Sequence, residues 1–169
     1  MIFPGNEKLE DKGRIAELVR LGVHDVNGDE ILQEFVDKCA EEIGLPISLV
    51  SVVLDGAQIF AASHGLSGWM DGSHGIPVEW SFCANSVASG KPFIVPNAQE
   101  HPETKDNPMV SQEGIRCYAG APLVTKNGYV IGNFCVVGHE SREFSQEEID
   151  RLKAYAQKAV DRLEARAQG

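Results

Sequence analysis

The segment Trp80-Ser81-Phe82-Cys83-Ala84-Asn85-Ser86 sets a thiol two residues after a serine of the kind that caps helices. A cysteine in the first turn of a helix ionises readily, because the N-terminal end of the helix dipole favours an anion. Cys83 has three roles open to it: nucleophile, cofactor attachment point, or small hydrophobe in a core. A nucleophile needs a base or a second thiol to complete a reaction, and the sequence places neither convincingly nearby. The other cysteines, Cys39, Cys117 and Cys135, form no C-x-x-C pair, so the spacing of a zinc or redox site is missing. Reduced thiols packed as small hydrophobes are the expectation. For Cys83 this means a buried helix-start residue beside a pocket, with redox sensing as the rival role. His64, His74 and His101 fall in loop-like sequence and are read as solvated, so no metal ligand and no catalytic residue is assigned. Arg116 is the natural partner for a carboxylate or phosphate; a surface ion pair with Glu113 or Glu79 is its alternative role.

These residues need a scaffold, and apolar periodicity supplies one. Residues 7–22 carry a weak helical pattern, and residues 29–43 a clear one through Ile31, Leu32, Phe35, Val36, Cys39 and Ile43. Asn27 or Asp29 can cap the second helix, and Gly44 ends it before Pro46. Residues 47–54 read as a strand, Asp55-Gly56 as a turn, and 58–63 as its returning partner. Residues 64–80 form a long glycine-rich loop, followed by a short helix from Ser81 to near Gly90 and a short strand at 91–95. A second polar loop covers 96–113. Strands at 115–124 and 129–138 are joined by Asn127-Gly128, and Ser145 with Glu148 makes a capping box for a helix to about residue 167. Tight turns imply antiparallel pairing, and helices at both ends imply a helical layer on one face.

A two-residue loop at Asn127-Gly128 pairs Lys126 with Tyr129, Gly120 with Cys135 and Cys117 with Gly138. Alternation then sorts the side chains. One face collects Cys117, Ala119, Ala121, Leu123, Val130, Phe134 and Val136, small and apolar, suited to packed helices. The other collects Arg116, Tyr118, Val124, Tyr129, Ile131, Asn133, Cys135 and Val137, a mixture that suits a ligand pocket. The bland alternative is a face that lies under the loops with its polar groups satisfied by backbone. Cys117 and Cys135 fall on opposite faces and are not expected to pair.

Composition sets the outer limits. The 169 residues, 43% hydrophobic and 24% charged, suit one domain with a real core. A formal net charge of -10 argues against nucleic acid and against an anionic membrane surface. No apolar run approaches the roughly 20 residues of a membrane span, and no signal peptide is evident. A cytoplasmic protein is expected.

The chain resembles the GAF domain family. The resemblance is carried in order by GLPISLVSVVLD (44–55), QIFAASHGL (58–66), WSFCANSVASGKPFIVPNA (80–98), NPMVSQEGIRCYAGAPLVTKNGYVIGNFCVV (107–137) and REFSQEEIDRLKAYAQ (142–157). It implies an α+β fold: an antiparallel sheet of five or six strands, helices on one face, and a short helix with long loops forming a pocket on the other. On that basis residues 1–26 hold the N-terminal helix, 27–144 the core and 145–169 the C-terminal helix, which is also a candidate linker to an output domain. The implied function is small-molecule sensing in bacterial-type signal transduction, of unknown cofactor and ligand. Expected ligand contacts are Ser51, Phe60, Trp80, Phe82, Cys83, Arg116, Tyr118, Asn133 and Cys135, with Asp106 and Asn107 closing over from the loop. The expected partners are a small molecule and a second copy of the chain, a homodimer through the terminal helices. The Asn-Lys-Phe-Asp-Glu constellation of cyclic-nucleotide-binding members cannot be assembled, and no cysteine has the following histidine common in bilin-binding members. Two other functions stay open: a ligand-free dimerisation scaffold, and a thiol-based redox sensor or enzyme like free methionine sulfoxide reductase. For the latter, Cys83 lies near one family cysteine, but 96–114 lacks the others. The last helix offers a seam for packing at Ile149, Leu152, Ala156, Ala159, Leu163 and Ala167, its end beyond Val160 projecting towards a partner.

Overall fold

Aspartates open the first two helices. The computed structural model describes residues 11–23, 29–54, 57–65, 75–77, 82 and 89–168. In it Asp11 accepts from the N–H groups of Gly13 and Arg14 at the start of α1 (Lys12–Leu21). Asp29 does the same for Ile31 and Leu32 at the start of α2 (Glu30–Ile43). Of the two capping candidates Asp29 takes the position; Asn27 lies outside the described residues. Both helices end at a left-handed glycine, Gly22 (φ 64°) and Gly44 (φ 80°), where a side chain would be strained.

The strands are β1 (Ile47–Val53), β2 (Ala57–His64), β3 (Gly75–Pro77), β4 (Phe93–Val95), β5 (Cys117–Val124) and β6 (Val130–Gly138). They form one antiparallel six-stranded sheet in the order β3-β2-β1-β6-β5-β4. A one-turn helix, α3 (Pro108–Ser111), precedes β5, and the long α4 (Gln146–Gln168) closes the chain. The capping box forms: Glu148 N–H donates to Ser145 Oγ at 3.1 Å and Ser145 N–H to Glu148 Oε1 at 2.9 Å.

Helices α2 and α4 cover one face of the sheet, α2 over β1 and β2, α4 over β5 and β6. The core between them holds Leu32, Val36, Val50, Phe134, Leu152 and Leu163, all fully buried. This is the expected α+β arrangement of a sheet with helices on one side. Two small elements were not expected. β3 is too short for its alternation to stand out, and α3 is announced only by Asn107-Pro108, a cap followed by proline in the first helical position.

The β5–β6 hairpin corrects its expected turn. Thr125 N–H donates to Tyr129 O (2.9 Å) and Gly128 N–H to Thr125 O (2.8 Å), with Gly128 at φ 87°. The loop therefore has three residues, and Lys126 does not pair with Tyr129. A bulge then compensates: Val124 faces Val130, whereas Leu123 faces Gly132, leaving Ile131 as the extra residue. Beyond it the register is the expected one, Gly120 opposite Cys135 and Cys117 opposite Gly138. The bulge exchanges two side chains between faces. Ile131 is buried in the helix-side core, and Val130 packs with the opposite cluster.

The end of α4 does not project. Leu163 is fully buried, and Arg162 and Arg166 both bind the Asp29 carboxylate at the start of α2, at 3.0 and 2.6 Å.

Candidate functional site

The face of the sheet away from the helices is built by alternation on β1. Ile47, Leu49, Ser51 and Val53 point to it, while Val50 and Val52 point to the helices. Register sets Ser51 between Phe60 on β2 and Asn133 on β6. Gly120 on β5 faces Cys135, and Tyr118 faces Val137. The result is an apolar surface of Leu49, Phe60, Cys135 and Val137 crossed by four neutral polar side chains. Gln58 Nε2 donates to Ser51 Oγ at 2.9 Å, and Asn133 Nδ2 donates to the Tyr118 hydroxyl at 2.9 Å. None of the four is more than 3% exposed. Buried polar groups are tolerated when they are hydrogen-bonded, and here they pair across neighbouring strands. Gly120 makes this possible: a Cβ there would lie 2.6 Å from the Tyr118 oxygen and 2.7 Å from Asn133 Nδ2.

Aromatic rings surround the Tyr118 end. Phe82 meets Tyr118 edge-on at 5.3 Å between centroids, Phe93 lies tilted at 5.8 Å, and His101 stands edge-on to Phe93 at 5.3 Å. His101 is thus a half-buried packing residue rather than a solvated one, and its Nδ1 accepts from Glu103 N–H. His64 is half-buried and pairs with the exposed Asp37 at 2.9 Å. His74 lies outside the described residues.

The rim is residues 96–114, held by its own turns. Thr104, fully buried, donates its hydroxyl to Ala98 O at 2.8 Å. Asn107 caps α3 by accepting from Met109 N–H at 2.8 Å, and α3 turns Val110 into the apolar cluster. Asp106 is exposed on this segment. Arg116 binds backbone in this structure, and Glu79, one partner expected for it, lies outside the described residues. The arginine's Nη1 donates to two backbone carbonyls, Val110 O at 2.8 Å and Ile115 O at 2.9 Å, which ties the end of α3 to the start of β5. Among the described residues it forms no ion pair with Glu113.

Six expected contacts are therefore brought onto one face: Ser51, Phe60, Phe82, Tyr118, Asn133 and Cys135. Asn107 and Asp106 stand at the rim, and Arg116 acts on backbone. Trp80 and Cys83 lie outside the described residues. Gln58 was missed, although it precedes Phe60 by two positions and so shares its face.

The described cysteines, Cys39, Cys117 and Cys135, are buried thiols outside any disulfide. Burial pushes the Cys39 thiol up to about 12 and raises Cys117 as well, the reverse of what a nucleophile needs. No group of three or more potential metal ligands stands together among the described residues. No helix among them is long and apolar enough to cross a membrane.

Comparisons with known proteins agree with this architecture. The GAF domain family model matches residues 27–162. A cyclic di-GMP phosphodiesterase of Pseudomonas aeruginosa is 32% identical over 149 residues, 87% of this chain and 24% of that protein. The chain thus spans about a quarter of that relative's length. Among solved structures, the GAF domain of a phosphoenolpyruvate-protein phosphotransferase from Coxiella burnetii aligns with a TM-score of 0.70 at 20% identity, covering 92% of this chain and 96% of that one. A free methionine-R-sulfoxide reductase from Neisseria meningitidis, solved with its substrate, aligns at 0.68 and 19% identity over 90% and 87%. At such identities the two structures speak for the fold alone.

Proposed function

The chain belongs to the GAF domain family, and from that membership we propose that it is a regulatory small-molecule sensor of bacterial-type signal transduction. The guest sits on the face of the sheet away from α2 and α4, over Ser51, Gln58, Phe60, Tyr118, Asn133 and Cys135. Trp80 and Cys83 are further proposed contacts on the sequence pattern alone. One observation carries the reading: four buried, uncharged polar side chains lie in a row on an otherwise apolar face. Apolar groups of the same shape can replace a buried hydrogen-bonded pair at little or no cost, so a mere scaffold has no need of polar groups there. Signal transfer follows from the layering. β5 and β6 carry Tyr118 and Asn133 on one side and support α4 on the other. A guest that favours one setting of these strands shifts the population of α4 positions.

The test is the thermal stability of the purified chain against a metabolite panel. A true ligand at a hundred times its Kd is expected to add about 2.7 kcal/mol. A folded protein that no compound stabilises would leave only a scaffold acting through its terminal helices. The proposal gives the chain no catalytic residue. Wild type and Cys83→Ser are both expected to leave free methionine sulfoxide unreduced; turnover lost in the variant would make it an enzyme instead.

A further inference from the structure

A cation at the rim narrows the class of guest, an inference that rests on the sensor reading. We infer that the guest carries an oxyanion, a carboxylate or phosphate group, gripped by the Nε and Nη2 edge of Arg116. Among the described residues, Arg20, Arg142, Arg151, Arg162 and Arg166 each pair with a carboxylate. Arg116 is half-buried and pairs with none of the described carboxylates, although Glu113 lies close in sequence. Its bonds go to the carbonyls of Val110 and Ile115. Carbonyls orient a guanidinium without cancelling its charge. A charge partly withdrawn from water is unfavourable unless a counter-ion meets it, so this cation favours a guest that brings one.

Geometry makes the cation selective. Both of its hydrogen bonds are made by Nη1, one to the end of α3 and one to the residue just before it in the chain. Backbone therefore sets the guanidinium in place before any guest arrives. The remaining edge carries Nε–H and Nη2–H, parallel donors that match the paired oxygens of a carboxylate or phosphate. Neither donates to a group among the described residues. The carbonyls also locate the cation. Val110 and Ile115 belong by their side chains to the apolar cluster of Phe60, Tyr118 and Cys135. Arg116 thus stands at the border of the proposed guest face, where an acid group meets it while the rest of the guest lies on the apolar floor. The chain's net charge of -10 opposes an arriving anion. That field is screened beyond roughly 10 Å in ordinary salt, whereas a bidentate grip acts at hydrogen-bond distance.

The test gives the full chain each acid of the metabolite panel beside its uncharged form, at constant ionic strength. Succinate is matched with succinamide, benzoate with benzamide, adenosine monophosphate with adenosine, and glucose phosphate with glucose. Melting temperature and calorimetry are the readouts. The compounds that stabilise wild type are expected to be acids, each binding roughly tenfold or more tightly than its uncharged form. Whether the carboxylate or the phosphate pairs separate names the acid. Arg116→Gln is expected to bring the acid down to its uncharged form and to leave that form's binding unchanged. Arg116→Lys keeps the charge without the fork and is expected to fall between the two; with the wild-type pairs it decides the matter if Arg116→Gln does not fold. Compounds that bind equally well without their acid group would overturn the oxyanion class and leave the sensor intact. An acid that binds both variants as tightly as wild type would overturn the role of Arg116, the sensor again standing. Silence from every compound would remove the sensor and this inference together.

Discussion

Two glycines show how closely the site residues are fitted. At Gly120 an added methyl meets the ends of two side chains, Tyr118 and Asn133; at Gly132 it runs into the backbone carbonyl of Ser51 on β1. Side chains can part and a paired strand cannot. Gly120→Ala is expected to cost about 1–3 kcal/mol in urea denaturation and to abolish the response to ligand. Gly132→Ala is expected to cost more and to yield little folded protein. Acid titrates a different pair. Burial alone would raise Asp29, but hydrogen bonds from Arg162, Leu32 N–H and Arg166 outweigh it and hold the carboxyl at about 2. Arg20 holds Glu17 at about 2 against burial, with help from Thr125 and Asn127. Both pKa values are depressed on folding, so both carboxylates stabilise above their unfolded values and lose that contribution as pH falls. The unfolding free energy is expected to be flat above about pH 5 and to fall towards pH 2 by on the order of 2 kcal/mol per group. Asp29→Asn should remove its share of the slope while keeping the cap.

At the scale of elements, the bulge at Ile131 makes a sharp prediction. Val130→Lys is expected to be nearly neutral, because Val130 is only half-buried on the side away from α2 and α4. Ile131→Lys buries a charge in the helix-side core and is expected to cost about 3 kcal/mol or more; equal effects would place the bulge elsewhere. The same hairpin shows what was legible beforehand. Counting back from the Asn127-Gly128 turn along strands expected at 115–124 and 129–138 paired Gly120 with Cys135, and alternation brought Tyr118 and Asn133 to one face. The expected turn was one residue too short, and the bulge restored the count. Nothing in the alternation of IGNFCVV marks a residue that will sit unpaired. The backbone bonds of Arg116 were not legible for a related reason. One of its two carbonyl partners, Val110 O, belongs to α3, and one turn of helix inside a polar segment has too few residues to show a period.

On the scale of the whole molecule, both terminal helices are fastened to the hairpin tip. Thr125 and Asn127 bind Glu17 of α1, Lys126 N–H binds Glu164 of α4, and Arg20 joins Glu17 to Glu164. The seam of Leu152, Ala156, Ala159 and Leu163 is buried within the chain. A homodimer through the terminal helices must therefore use outward residues such as Val19, 70% exposed on α1. Val19→Lys is expected to convert that dimer to monomer without loss of stability, read by size-exclusion chromatography with light scattering. An unchanged dimer would assign the interface to another surface.

The strand order has a consequence for how the protein is made. The central pair of the sheet joins β1, near the start, to β6, near the end. During synthesis β1 and β2 leave the ribosome as an open hairpin, and the inner edge of β1 stays exposed until β6 has been translated. Contacts this distant in sequence slow folding and leave early chains prone to association. Nascent chains released before residue 138 should therefore be the ones that engage chaperones or aggregate.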